Sequence, residues 1–254
     1  MTAPRASGDH FSGIAASYAA FRPHYPRKLF EFLATVSPDR RRAWDCGAGT
    51  GQAALGLAEF FAQVIATDIS AAQFAHAPRH PRVQWCVAPA EYAPIESGSV
   101  DLVTVAQALH WFDHDRFYAE VRRVCVPGAV IAAWSYLAPR IEGDVGRVLR
   151  RFMLVDLKDY WPAERKHVDD RYASIPFPFE RIAAPELQLE CEWTLPHVAG
   201  YLRSMSPTAR YERAHGVNPV DSVYDELARL WGDPDSTRRV VWPVVLLAGR
   251  VSRA

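Results

Sequence analysis

The sequence predicts a doubly wound α/β fold built on a mostly parallel sheet. Between residues 42 and 134, short apolar strands alternate with amphipathic helical segments, which is typical of a sheet covered by helices on both faces. The first strand runs into three glycines at alternate positions and then into a helix-forming segment, and such strand–turn–helix units cradle small ligands. Candidate binding residues follow the ends of several strands, where ligands bind in open α/β sheets.

Composition limits the function classes that fit this chain. The 254 residues are enough for one large α/β domain or for a domain with a sizeable insertion. Lys and Arg together number 29, as do Asp and Glu, so the formal net charge is zero. The chain therefore lacks the excess positive charge that would bind a nucleic-acid backbone. We therefore predict no nucleic-acid partner. These features do not determine the oligomeric state.

Cysteine and histidine usage predicts a reduced protein without a metal. The four cysteines are far apart and form no C-x-x-C pair, and the nine histidines show no metal-binding spacing. No segment approaches the roughly 18 apolar residues that span a bilayer, and no apolar run precedes Arg5. We therefore expect a soluble, cytoplasmic protein with no membrane partner.

The N-terminal residues are expected to form a helical cap. A helical pattern begins at Phe11 and stops at the sequence Arg22-Pro23-His24-Tyr25-Pro26. Two prolines so close together bar a continuous helix, so we predict a rigid elbow followed by a helix over residues 29–36.

The turn after the first strand separates two possible cofactors. A dinucleotide turn reads G-x-G-x-x-G, but Gln52 occupies the position of its last glycine, and the chain offers Gly47, Gly49 and Gly51 instead. Asp45 precedes them at the end of the strand. An acid beside the cradle suits a ligand with a positively charged group and no phosphates, such as the amino-acid end of S-adenosylmethionine. The pattern therefore disfavours a nicotinamide-dependent oxidoreductase.

The next strand supplies a second acid. Asp68 follows Val64-Ile65-Ala66-Thr67, at the spacing where dinucleotide sites place the acid that binds the ribose hydroxyls. Together with the glycine turn, this arrangement resembles the class I S-adenosylmethionine-dependent methyltransferases, whose first motif reads D/E-x-G-x-G-x-G. The resemblance implies S-adenosylmethionine as the cofactor. The residues that it places around this cofactor are Asp45, Gly47, Gly49, Gly51, Asp68 and Ile69.

The rest of the core continues the alternation of helices and strands. The expected elements are helices over residues 52–62, 71–76 and 115–124 and strands over residues 64–67, 83–87, 100–106 and 129–134. Asp113 or Asp115 is the expected N-cap of the third helix, and Pro127-Gly128 is its expected stop.

Two further segments resemble a methyltransferase type 11 subgroup that includes trans-aconitate methyltransferase-like proteins. The stretch from Tyr18 to Pro26 matches the opening Y-x-x-x-R-P-x-Y-P, and the stretch from Ala106 to Phe112 resembles the segment A-x-H-W-F. The resemblance implies a lid over the cofactor that includes Tyr18, Arg22 and Tyr25, and Arg22 or Tyr25 could reach a carboxylate. These aromatic residues could instead be packing anchors.

The resemblance also assigns residues to the adenine and to the methyl acceptor. Ala90 and Glu91 fall where the family faces the adenine ring, although Glu91 could equally stabilise a helix N-terminus. Gln107 could hydrogen-bond near the methyl group or tie down its turn. His110 has the intrinsic pKa of a general base, although a histidine there could be structural. Trp111 could shield the adenosine, shape the pocket or belong to the core.

Residues 138–185 break the regular alternation with a helix and then loops rich in proline and aromatic residues. Because extended connections at strand ends are commonly functional, we interpret this segment as an inserted lid. Tyr201 and Arg203 in the following region resemble a segment that faces the active site in trans-aconitate-type enzymes. Arg203 could bind a carboxylate there, or it could be a solvated charge on a helix.

The C-terminal region is expected to complete the sheet. A strand from Leu187 to Leu195, helices over residues 197–203 and 220–231, and a last strand over residues 238–250 follow the insertion. The family resemblance implies a seven-stranded Rossmann-like sheet whose antiparallel last strand lies inside it. Pro243 cannot donate to such a ladder, so we expect a bulge, or a strand start near Val244.

These interpretations combine into one structural domain with four regions. The regions are an N-terminal helical cap (1–40), a cofactor-binding core (41–137), a lid and substrate insertion (138–185) and a C-terminal region that completes the acceptor pocket (186–254). The predicted function is an S-adenosylmethionine-dependent methyltransferase (EC 2.1.1.-) that acts on a small molecule, with a carboxylate or a hydroxyl as the acceptor. The alternatives are an S-adenosylmethionine-binding protein without transferase activity and a nicotinamide-dependent oxidoreductase.

Overall fold

The computed structural model describes residues 21–252, so the helical pattern that begins at Phe11 and the lid candidate Tyr18 lie outside the described residues. The strands in this part of the chain are β1 (Arg42–Cys46), β2 (Gln63–Asp68), β3 (Val83–Val87), β4 (Val100–Ala106), β5 (Cys125–Tyr136), β6 (Glu180–Arg181), β7 (Gln188–Trp193) and β8 (Arg238–Arg250). The α-helices are α1 (Arg27–Val36), α2 (Gln52–Ala58), α3 (Ala71–Phe74), α4 (His114–Val124), α5 (Gly143–Arg151), α6 (Arg165–Asp169), α7 (Leu195–Arg203), α8 (Ser206–His215) and α9 (Pro219–Trp231).

The sheet confirms the predicted doubly wound, mostly parallel architecture. In the described residues its strand order is β3-β2-β1-β4-β5-β8-β6, and β7 pairs with β8 outside this path. Strands β1 to β5 pair in parallel, whereas β8 runs antiparallel to β5 and lies inside the sheet. The parallel strands end at one edge, so the turns after β1, β2, β3 and β4 lie side by side.

Each face of the sheet carries its own hydrophobic core. Ala43, Val64 and Leu102 face one core, which also contains residues of α1, α2, α5, α7 and α9. Their neighbours in sequence face the other core, which contains residues of α4. Because side chains alternate between the two faces of a strand, both faces must be apolar, and this explains why the strands are continuous apolar runs.

The fifth strand begins earlier than predicted. Helix α4 ends at Val124, and Asp113 is its N-cap, with the Asp113 side chain accepting a hydrogen bond from the backbone N–H of Arg116 at 3.3 Å. Strand β5 then starts at Cys125, so Pro127-Gly128 lies within the strand. The register between β4 and β5 shifts over this stretch, because the strand accommodates both residues in an irregularity of the ladder.

Pro243 does not start the last strand, and the predicted start near Val244 is wrong. Strand β8 is continuous from Arg238, and Pro243 pairs with Gln188 of β7. Val244 pairs with Tyr136 of β5. The Pro243 carbonyl accepts from the backbone N–H of Leu137, just beyond the end of β5, so the proline removes one ladder donor where the pairing with β5 ends.

The segment over residues 138–185 adds short helical elements and one sheet strand. Helix α5 continues into a π-helical turn (Phe152–Asp156), which is followed by a 3₁₀ turn (Lys158–Tyr160) and α6. The segment ends in β6, which pairs with β8. No helix within residues 21–252 is long and apolar enough to cross a membrane.

A buried ion pair fastens the long loop between β3 and β4 to helix α4. The Glu120 carboxylate is 6% exposed and accepts hydrogen bonds from the backbone N–H of Ala93 and from Arg123, each at 2.7 Å. Arg123 also donates to the carbonyls of Ala93 and Ile95. Burial raises the pKa of Glu120, but the hydrogen bonds from Arg123 and Ala93 outweigh it and leave this pKa below the usual value.

Glu120→Ala is expected to lower the free energy of unfolding by about 2 to 3 kcal/mol, because it leaves a loop amide and a guanidinium without their shared acceptor. Chemical denaturation measures this loss. Glu96→Ala removes an exposed carboxylate from the same loop and serves as the control. Equal unfolding midpoints for the two variants would show that the ion pair does not stabilise the loop.

Candidate active site

A concave site lies at the carboxyl ends of β1, β2, β3 and β4. It encloses about 240 Å³ and is bounded by the turns that follow these strands and by the N-terminal elbow. Of the predicted site residues, those that line this cavity are Arg22, Tyr25, Gly47, Gly49, Asp68, Ile69, Ala90, Glu91, Gln107 and Trp111.

The glycine turn is held against the end of β2 by its backbone. The N–H groups of Gly47 and Ala48 both donate to the carbonyl of Thr67, at 2.8 and 2.9 Å. Gly51 then caps the start of α2 with φ at +87°, in the left-handed region. The turn therefore needs glycine for its conformation.

The three glycines differ in what surrounds them. A Cβ on Gly51 would lie 2.2 Å from the ring of Trp85, and a Cβ on Gly47 would lie 2.7 Å from Ala108. A Cβ on Gly49 would meet nothing within 4 Å. Gly47 and Gly51 thus permit close packing of the turn, whereas Gly49 leaves its backbone open to the cavity.

Asp68 joins the glycine turn to the turn after β2. One carboxylate oxygen accepts the N–H of Gly49 at 2.9 Å, and the other accepts the N–H of Ser70 at 2.9 Å. Each oxygen of a carboxylate can accept more than one hydrogen bond. The Asp68 side chain lines the cavity and so can accept two further donors from a ligand.

Asp45 does not line the cavity, which differs from its expected place beside the ligand. It is fully buried within β1, where it pairs in register with Thr104 of β4 and accepts a hydrogen bond from the Thr104 hydroxyl at 2.9 Å. Burial raises the pKa of Asp45 to about 7, although the bond from Thr104 opposes the rise. Its position inside the sheet, rather than in the turn, keeps its side chain from the cavity.

The side of the cavity near β3 contains apolar side chains and the hydrogen-bonded carboxylate of Glu91. Ile69 is 51% exposed and lines the cavity beside Ala90. The Glu91 carboxylate accepts the backbone N–H of Asp113 at 3.0 Å. Glu91 therefore links the loop after β3 to the N-cap of α4 while it lines the cavity.

A second, smaller cavity of about 130 Å³ adjoins the first. The residues that line both cavities are Arg22, Gln107, Trp111 and Tyr136. The second cavity also receives His110, Tyr201 and residues of the 138–185 segment, among them Met153 of the π-helical turn and Arg165 of α6. A ligand in one cavity would thus contact the same four side chains as a ligand in the other.

Arg22 connects the N-terminal elbow to two distant elements. Its guanidinium donates to the Tyr136 hydroxyl at 3.2 Å and to the carbonyl of Ser204 at 3.1 Å, and it lies 5.0 Å from the ring centroid of Tyr201. Tyr25 packs edge-on against Trp134 with the ring centroids 5.5 Å apart. Both the packing and the lid interpretations of these aromatic residues are compatible with this arrangement.

His110 lies in a positively charged part of the second cavity. The pKa of His110 is lowered to about 4, chiefly by burial and to a lesser extent by the positive charges of His167, Arg165 and His114. Its Nδ1 is 3.4 Å from the hydroxyl of Tyr172. His110 is therefore neutral at physiological pH and is a weaker base than an ordinary histidine.

Arg203 faces away from both cavities. Its guanidinium forms an ion pair with Asp221 at 2.8 Å and lies near the ring of Tyr224, on the outer side of α7. Two residues along an α-helix turn a side chain by about 200°, so Arg203 points outwards when Tyr201 points inwards. The expectation that Arg203 faces an acceptor is not supported, whereas Tyr201 does line the second cavity.

Sequence reasoning missed several residues of the site. Arg165 and Trp161 line the second cavity, but they lie in segments without a recognisable motif. Met205 also lines it, in the segment that contains Tyr201 and Arg203. Phe112 ends the segment after β4, Tyr136 is the last residue of β5, and both line the first cavity, so their position at the carboxyl ends of strands could have identified them. Among the described residues, no group of His, Cys, Asp or Glu side chains is arranged to hold a metal ion.

The lining of the first cavity fits an adenosine that carries a charged sulfur. Asp68 offers acceptors to ribose hydroxyls, Ile69 and Phe112 offer apolar surface to a ring, and the bare backbone at Gly49 permits close approach.

Comparison with known proteins identifies similar chains. The family model described as a methyltransferase domain, Methyltransf_11, matches residues 44–133. A Dictyostelium discoideum protein named as a methyltransferase is 31% identical over 254 residues, which cover 97% of each chain. A solved structure from Anaeromyxobacter dehalogenans, described as a type II methyltransferase, is 46% identical with a TM-score of 0.87, and the match covers 92% of this chain and 100% of that one. A Mycobacterium tuberculosis protein, named as an uncharacterized methyltransferase, is 36% identical over 145 residues, or 56% of this chain and 59% of its own.

Gly51→Ala is expected to destabilise the fold by at least about 1 kcal/mol more than Gly98→Ala, because overpacking against Trp85 adds to the strain of a positive φ. Gly98 also has a positive φ, at +63°, but a Cβ there would meet nothing within 4 Å. Thermal or chemical unfolding of both variants gives the comparison. Equal losses would mean that the ring of Trp85 moves away without cost.

Proposed function

The chain belongs to the class I S-adenosylmethionine-dependent methyltransferase family, and from this premise we propose that it methylates a carboxylate of a small molecule. In this proposal S-adenosylmethionine binds in the larger cavity and the acceptor binds in the smaller one. The observation that carries the proposal is the wall that the two cavities share, formed by Arg22, Gln107, Trp111 and Tyr136. A methyl group of a cofactor in the larger cavity would lie at this wall, and the acceptor would lie on the opposite side of the wall, in the smaller cavity.

The cofactor orientation follows from the chemistry of the larger cavity. Asp68 accepts the two ribose hydroxyls, since its oxygens already lie in the cavity and retain acceptor capacity. Ile69, Ala90 and Glu91 bound the adenine end. Gly47 and Gly49 lie along the remaining part of the ligand, where a side chain would obstruct it.

The acceptor is an anion because the smaller cavity is lined by positive and neutral groups. Arg22 and Arg165 both line it, and no Asp or Glu of the described residues does. The Arg165 side chain is only 16% exposed and stacks on Trp161, with its guanidinium carbon 4.1 Å from the ring centroid. Its Nε forms an ion pair with Asp169 at 2.7 Å, so an anion would be bound by the two terminal nitrogens of the guanidinium. A carboxylate bound between these groups exchanges its hydration for charge-assisted hydrogen bonds.

A carboxylate acceptor also agrees with the properties of His110. S-adenosylmethionine would supply a methyl group bonded to a positively charged sulfur. The acceptor oxygen bonds to the methyl carbon on the side opposite the sulfur as the carbon–sulfur bond breaks, and the sulfur leaves as a neutral thioether. A carboxylate is already ionised at neutral pH, so no proton has to be removed. The lowered pKa of His110 makes it a poor general base for a hydroxyl acceptor. In this proposal His110 helps to form the acceptor pocket, and alignment of the two reactants supplies most of the catalysis.

Two other functions use the same cavities and are separated by experiment. A protein that binds S-adenosylmethionine without transferring its methyl group needs the larger cavity only, so turnover with a panel of carboxylic acids, phenols and amines distinguishes it. A nicotinamide-dependent oxidoreductase would bind NAD instead. The cytoplasmic location inferred from the cysteines stays a prediction.

Asp68→Ala is expected to weaken S-adenosylhomocysteine binding by about 1.5 to 3 kcal/mol, because it removes the acceptor for the ribose hydroxyls. Isothermal titration calorimetry with S-adenosylhomocysteine and with NAD measures this change and tests the cofactor class. Asp39→Ala, which removes an exposed carboxylate, is the control. An unchanged affinity in a folded Asp68→Ala protein would remove Asp68 from the site, and tight binding of NAD alone would overturn the proposed cofactor.

Arg165→Gln is expected to raise the KM for a carboxylate acceptor about 10- to 100-fold without changing the affinity for S-adenosylhomocysteine, because it removes a charge-assisted contact. Steady-state kinetics and calorimetry give the two quantities. Lys166→Gln removes an exposed charge from the same helix and should leave both unchanged. An equal KM in the wild-type protein and the Arg165 variant would contradict an anionic acceptor held by Arg165.

A further inference from the structure

Gln107 has a strained backbone at the point where the two cavities meet. Its φ is +59°, and it is one of three residues other than glycine with a positive φ in the described part of the chain. Its backbone N–H donates to the carbonyl of Trp134 in β5 at 2.8 Å. A positive φ is energetically unfavourable for residues other than glycine, and residues with such backbone strain are concentrated at functional sites.

The two ends of the Gln107 amide have different environments. The hydroxyl of Ser135 donates to Oε1 at 2.7 Å. Nε2 is buried and has no hydrogen-bond partner within residues 21–252. A buried donor without a partner costs about 1 to 3 kcal/mol, and Gln107 lines both cavities. An oxygen of a ligand at the shared wall would therefore relieve this cost.

Two consecutive residues of β5 form hydrogen bonds with the backbone and with the side-chain amide of Gln107. Trp134 accepts from its backbone and Ser135 donates to its side chain, and both residues are buried in a central strand. The Ser135 side chain is 1% exposed and does not line either cavity. Its hydroxyl therefore does not contact a ligand in either cavity, and its hydrogen bond to Gln107 connects it to the shared wall.

We infer that Ser135 is a positioning residue, which fixes the Gln107 amide so that Nε2 donates to an acceptor oxygen beside the transferred methyl group. The expected effect on methyl transfer rests on the proposed function, whereas the orientation of the Gln107 amide does not. Without Ser135, the oxygen and nitrogen ends of the amide are nearly equivalent in shape, so the amide adopts both orientations. Only one of them presents a donor to the acceptor.

A double-mutant cycle tests the effect on the reaction. Ser135→Ala is expected to lower kcat about tenfold, the effect of about one hydrogen bond, with the affinity for S-adenosylhomocysteine unchanged. In a Gln107→Ala background the same change should alter kcat by less than about twofold, because the effects of residues that act through one another are not additive. An equal loss in both backgrounds would mean that Ser135 has a structural role only. No loss in either background would also overturn the inference.

The orientation of the amide is tested without turnover. In ¹⁵N–¹H spectra of the protein bound to S-adenosylhomocysteine, the Gln107 side-chain amide is identified by its absence from Gln107→Glu. We expect one sharp pair of signals in the wild-type protein and a broadened or doubled pair in Ser135→Ala. Ser37→Ala, which removes the hydroxyl that donates to Leu33 at the end of α1, is the control. An unchanged pair in Ser135→Ala would refute the positioning role, whereas absent turnover in the wild-type protein would refute only the proposed function.

Discussion

The carboxylate of Asp68 holds together the two turns that form the floor of the larger cavity. It accepts one backbone N–H from the glycine turn after β1 and another from the turn after β2. Both turns line the cavity, and their bulky side chain, Ile69, is 51% exposed, so packing does not fix them. The Asp68 carboxylate therefore has two functions, since it fixes the two turns and offers acceptors to a ligand.

Strand β5 organises the other side of the site through three consecutive residues. The carbonyl of Trp134 holds the strained backbone of Gln107, the hydroxyl of Ser135 holds its amide, and the hydroxyl of Tyr136 accepts from Arg22. Because β5 is paired on both sides, with β4 and β8, these groups are attached to a rigid element. Rigid support of this kind is what in-line transfer requires, since small errors in alignment reduce the rate strongly.

The smaller cavity, where we propose that the acceptor binds, is built from elements that are far apart in sequence. The N-terminal elbow contributes Arg22, the 138–185 segment contributes Arg165, and α7 contributes Tyr201. The larger cavity, in contrast, is built mostly from turns of consecutive strands. Under the proposed function, the groups that select the acceptor therefore lie outside the parallel core.

The sequence alone determined the doubly wound sheet, the glycine turn and the placement of Asp68, because these depend on local patterns: apolar runs, turn residues and the ends of strands. It also identified Tyr201 and Gln107 as site residues from short segments. Only the tertiary structure decided that Asp45 is buried against Thr104, that Arg203 faces outwards to Asp221 and that Arg165 lines the second cavity. The physical reason is that a linear pattern fixes which residues end a strand or share a helix. Packing between distant elements decides which of those side chains face a cavity, and no local pattern encodes it.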